Sequence, residues 1–121
     1  MAELKAREII NIHAHHHRNR DFDEHVAQWK AEGALRTCVS ALGEDEWTED
    51  DSGHFSNADL LPYLHKHPDH VIGMACIRTN PEPEGADAVK RRHGEGFRGL
   101  KLIDPCAPYD DERFFPIYER A

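Results

Sequence analysis

The chain has 121 residues, 39% hydrophobic and 31% charged, a balance that suits one soluble globular domain spanning 1–121. A net charge of −8, with no basic stripe to offset it, argues against a nucleic-acid partner. No apolar run reaches spanning length and no charged-then-apolar leader opens the chain, so neither a membrane nor secretion is expected.

The first structured stretch is Ile9-Ile10-Asn11-Ile12-His13-Ala14-His15. Its β-branched residues predict a strand with Ile10 and Ile12 on one face and Asn11, His13 and His15 on the other. Imidazoles at i and i+2 point the same way, so both can reach one metal ion. The polar run His16 to Arg20 ends the strand at once, which puts the pair at its C-terminal end, where α/β sheets collect ligands. Phe22, Val26 and Trp29 then repeat at helical spacing, with Asp21 placed as N-cap and Gly33 as terminator.

Leu35 to Leu42 reads as a second strand and the acidic run Glu44 to Ser52, with Trp47, as a solvated loop. A second helix starts best with Asp59 as N-cap, because Pro62 then falls in the first turn, and ends near His67-Pro68. Val71 to Ile77 is an almost unbroken apolar run, as expected of a strand covered on both faces. Pro81 and Pro83 make a turn. Gly85 to His93 is a third helix that Gly94 and Gly96 stop. Phe97 to Ile103 is a fourth strand, with Leu100 and Leu102 on one face and Gly99, Lys101 and Ile103 on the other. A last helix opens at Asp110-Asp111-Glu112, where acids suit a helix N-terminus, and runs to the end.

Strands alternating with helices at this spacing imply right-handed βαβ units and a parallel α/β sheet. Four such units make either a small open sheet or the first half of a (β/α)₈ barrel. Cys38, Cys76 and Cys106 are odd in number, widely spaced and without a CxxC pair, which reads as free thiols in a reducing cytoplasm.

Three segments together resemble the metal-dependent amidohydrolase superfamily, in its amidohydrolase-related branch of TIM barrels. They are Ile12-His13-Ala14-His15, the stretch His67 to Gly73, and Gly96-Phe97-Arg98-Gly99-Leu100-Lys101-Leu102 followed by Asp110 to Glu119. The likeness covers the N-terminal half of that barrel. It implies that His13 and His15 are metal ligands, and that a strand-5 histidine and a strand-8 aspartate would lie beyond Ala121. Asn11 stands where the family often has Asp. The implied activity is hydrolysis, or decarboxylation, of a small amide, lactone or organic acid, with metal-activated water attacking a carbonyl-type carbon. Zinc is the divalent metal that suits imidazole donors.

Lys101 should point into the barrel, where some branches of the superfamily carry a carboxylated lysine, and it is a candidate metal-site, catalytic or substrate-contacting group. Asp104 is a second catalytic candidate at the end of the fourth strand, beside Cys106. His54, in the loop after the second strand, is a substrate-contact candidate. His16 and His17 are expected to be exposed loop histidines. His65, His67 and His70 belong to the opposite, stabilising end of the sheet. A strand-borne HxH also opens phosphoesterases of the polymerase-and-histidinol-phosphatase type and TatD-like nucleases, but neither accounts for GFRGLKL with FFPIYE after it. A non-catalytic truncated fragment, or a self-associating metal-binding half barrel, is the alternative to an enzyme. An isolated half barrel leaves strands 1 and 4 unpaired, so self-association through those edges is expected.

Overall fold

Each strand of this chain is followed by a helix that folds back on the sheet. The computed structural model describes residues 8–43 and 53–121; the acidic run Glu44 to Ser52, with Trp47, lies outside the described residues. In order come β1 (Ile9–Ala14), α1 (Phe22–Ala31), β2 (Ala34–Ser40), α2 (Asn57–Lys66), β3 (Val71–Cys76), α3 (Ala86–Glu95) and β4 (Gly99–Lys101). A 3-10 turn, Glu112–Phe114, then leads into α4 (Phe115–Arg120). The four strands are parallel, in the order β1-β2-β3-β4, and the sheet curls into a half-barrel. No helix among the described residues is long and apolar enough to cross a membrane. All three cysteines are free thiols.

Local chemistry fixes the helix ends. Asp21 caps α1 by accepting from the Glu24 N–H, and Gly33 leaves the helix in a left-handed conformation (φ 93°). The second helix starts earlier than the proline argument predicts. Ser56 is its N-cap, and Asp59 sits at N3, closing a reciprocal capping box with Ser56. Pro62 is therefore inside α2, not in its first turn, and its ring leaves the Ala58 carbonyl without the usual intrahelical donor. The capping box and burial of Leu60 and Leu64 outweigh that loss. Gly94 does not stop α3; only Gly96 does, as a left-handed C-cap (φ 114°). The fourth strand is three residues long, not seven, and the last helix opens through a 3-10 turn capped by Asp111 and ends at Arg120.

The core lies between the sheet and its helices. Phe22, Val26 and Trp29 of α1 and Leu60 and Leu64 of α2 cover Val39, Val71 and Ala75. A second cluster joins Ile77, Val89, Phe114 and Ile117, and Leu100 touches both. Along β2, buried Thr37 and Val39 alternate with partly exposed Arg36 and Cys38, so the opposite face lines the hollow of the curl. Leu64 packs straight onto Gly73 of β3, where a Cβ would come within 2.5 Å of its methyl groups. Any larger residue there would push α2 off the sheet.

Asn57, the first residue of α2, is fully buried and bonds the end of β3 on both sides. Its amide donates to the Cys76 carbonyl (2.8 Å) and its carbonyl oxygen accepts from the Cys76 N–H (2.7 Å). Replacing Asn57 with Ala strands two buried backbone groups, so Asn57→Ala should cost about 2–4 kcal/mol in urea unfolding followed by circular dichroism.

Candidate functional site: a strand-end histidine group

The end of β1 is irregular. Its pairing with β2 slips between Asn11 and Ala14, so three steps of β1 oppose two of β2. The Asn11 side-chain oxygen accepts from the His13 N–H across this irregularity (3.2 Å). Beyond it, the His13 and His15 rings meet, with their Nε2 atoms 2.9 Å apart and their planes nearly perpendicular. The expectation that both imidazoles share one side of the strand is met.

His15 is held from its other nitrogen. Its Nδ1 lies 3.1 Å from the Ser40 carbonyl, which can only accept, so Nδ1 carries the proton. In the neutral ring Nε2 is then a bare lone pair, and His13 donates its Nε2–H to it. Burial lowers the His15 pKa, and the nearby cationic forms of His13, Lys101 and His54 lower it further, while the Ser40 carbonyl opposes them. The result is a neutral imidazole, the form that binds metals.

The loop after β2 brings His54 to this place. His17 and His54 form an isolated antiparallel bridge, flanked by Arg18 N–H to the Gly53 carbonyl (2.7 Å) and Phe55 N–H to the His16 carbonyl (2.9 Å). Gly53 has φ 79° and lies directly under the His17 ring, where a Cβ would fall 2.4 Å from Nε2. Only glycine fits this crossing of two loops. Arg18 grips Asp59 with two donors (2.8 and 3.0 Å), joining the crossing to the capping box of α2. His54 thereby stands edge-on to His15, ring centres 5.8 Å apart, and to His17 at 5.4 Å.

Lys101 is at the end of β4, partly buried, and its charge reaches His15. Asp104 has a left-handed backbone (φ 50°) and lines a cleft of about 210 Å³ with Leu42, Thr79 and Asn80, which none of the histidines lines. His13, His15, His54 and Lys101 thus form one group, and Asp104 lines a separate cleft. Among the described residues, no three or more His, Cys, Asp or Glu side chains are arranged to hold a metal ion. The HxH pair is a two-donor arrangement.

His16 corrects the expectation of an exposed loop residue. It is fully buried, packed between Phe22 and Phe55. Its Nε2–H donates to the Arg20 carbonyl (2.8 Å), so its Nδ1 accepts from the Nδ1–H of His25 (2.9 Å). The apolar Phe22 beyond the turn creates this burial, which an isolated polar run does not reveal. At the other end of the sheet, His70 is buried against Trp29 and 2.9 Å from the Thr37 hydroxyl, and His67 meets Asp23 at 2.6 Å.

Fold and site together define a parallel α/β half-barrel bearing a strand-end histidine group. Comparison with protein-family models, with curated proteins and with solved structures finds no match to this chain.

Two buried histidines, His16 and His70, and the partly buried His25 make stability pH-dependent. Burial is the first cause that lowers the pKa of His16, His25 and His70, in His25 to about 4, with Arg20 and His16 adding to the shift and Glu32 opposing it. Each group binds protons more tightly in the unfolded chain. Stability is therefore complete above about pH 6.5 and is lost as pH falls toward 4. The urea midpoint should drop across that window, and His25→Phe should flatten the drop.

Proposed function

We propose that the protein is the N-terminal half of a (β/α)₈ barrel of amidohydrolase type. In this reading it serves hydrolysis, or decarboxylation, of a small amide, lactone or organic acid. The observation that supports this reading is the convergence of the His13 and His15 Nε2 atoms at a strand's C-terminal end, with His15 oriented through its Nδ1–H. A backbone carbonyl on the far nitrogen is how proteins orient imidazole ligands for a metal.

The donor chemistry fits a borderline divalent cation such as zinc. Zinc–nitrogen bonds of about 2.0–2.1 Å at a tetrahedral angle separate two nitrogens by roughly 3.3 Å. The observed 2.9 Å needs a ring movement of only a few tenths of an ångström. Two imidazoles are fewer than the roughly three protein donors of a catalytic zinc, so further donors have to come from outside these strands. A bound cation would supply Lewis acidity and acidify water. The chain's own residues do the rest: His13 and His15 anchor, Ser40 fixes the His15 tautomer, Lys101 supplies positive charge for an anionic substrate group, and His54 borders the space where substrate would lie.

Cobalt(II), whose visible absorption reports its ligands, tests the anchor directly. Wild-type protein is expected to develop an imidazole-type band that zinc abolishes by competition. His13→Ala and His15→Ala should each weaken binding by about tenfold or more, whereas His54→Gln should weaken it much less. Equal binding by wild type and both alanine variants would refute the assignment.

A further inference from the structure

The large apolar side chains exposed among the described residues are concentrated at the two edges of the sheet. Ile9, Ile10 and Ile12 of β1 are 47%, 58% and 78% exposed, and Leu35 of the adjoining β2 is half exposed. The others, Tyr109, Phe115 and Tyr118, all follow β4. Beside β4 runs a groove of about 350 Å³ lined by Val89, Phe97, Leu100, Leu102 and Tyr118. Between the edges, the same kinds of residue are buried. The helices show why: α1 packs on β2 and α2 on β3, each covering the strand that follows it. By the same progression α4 belongs over a strand beyond β4, and the described residues supply none.

We infer that a second copy of this chain fills that place, its β1 pairing with β4 and its β4 pairing with β1 of the first. Four curled parallel strands are half of the eight that close a barrel. A twofold axis along the barrel keeps all eight strands parallel and satisfies both edges of each copy in one closed assembly. The α4 helix of one copy, with Phe115 and Tyr118, then covers the isoleucines of the other copy's β1.

Charge agrees with this pairing. Glu8 stands at the N-terminal end of β1 and Arg98 at the N-terminal end of β4, both exposed, and parallel pairing brings them to the same rim. The Arg98 guanidinium donates to the His93 and Phe97 carbonyls, which do not neutralise it. In a closed ring of eight, the second β1 takes the fifth position, facing the first across the lumen. Two HxH pairs therefore line one cavity, and the partner copy adds imidazoles to a site that has only two converging donors in one chain. This inference stands on the edges alone and does not depend on the hydrolase reading.

Sedimentation equilibrium of the full chain between about 1 and 100 µM is the test. The expected species is a closed dimer, twice the 13.9 kDa chain mass. Ile12→Glu changes a solvent-exposed residue, so the protomer should keep its circular dichroism while shifting to monomer. Glu8→Arg and Arg98→Glu should each weaken the dimer several-fold, and the double exchange should restore it. A monomer throughout the range would overturn the inference and leave the edges to a different chain. So would open-ended oligomers, or a dimer indifferent to Ile12→Glu.

Discussion

A hydrogen bond from the His15 Nδ1–H to the Ser40 carbonyl joins the end of β1 to the end of β2, and the arrangement of the site depends on it. It sets which nitrogen of His15 is bare. It turns that nitrogen toward His13, whose ring is exposed while that of His15 is partly buried. The β1–β2 ladder slips just before it, and beyond the slip the two rings meet edge to face. Burial and neighbouring cations then favour the uncharged form of His15.

Around this bond the fold supplies rigidity from three directions. Asn57 fastens the start of α2 to the end of β3, and Ser56 and Asp59 lock the same helix end from outside. Through Arg18, that helix end holds the turn after β1, and the His17–His54 crossing over Gly53 closes the two loops on each other. His16 looks like part of the functional histidine run yet faces inward among Phe22 and Phe55, anchoring the turn that carries its neighbours. Adjacent histidines in one short run thus do different work: His13 and His15 face the hollow, His16 the core, His17 the loop crossing.

Much of this frame was legible in the residues. Alternating apolar runs and helical repeats mark the four βα units, and Asp21, Gly33 and Gly96 mark helix ends, because each acts through short-range chemistry. The i, i+2 spacing of His13 and His15 marks a shared side for the same reason. What was not legible depends on contacts far apart in sequence. The Ser40 carbonyl has no side-chain signal, and the burial of His16 needs Phe55, 39 positions away. The early start of α2 was obscured by Pro62, whose penalty looked decisive until Ser56 and buried Asn57 outweighed it.

The protonation state of His15 tests the account most directly. Long-range ¹⁵N–¹H correlation of the imidazole rings at pH 7.5 separates the two neutral tautomers. The structure predicts His15 protonated on Nδ1 and bare on Nε2, with the Nε2 resonance the one that moves when zinc is added. A His15 ring protonated on Nε2, or unmoved by zinc at that nitrogen, would contradict the site as described.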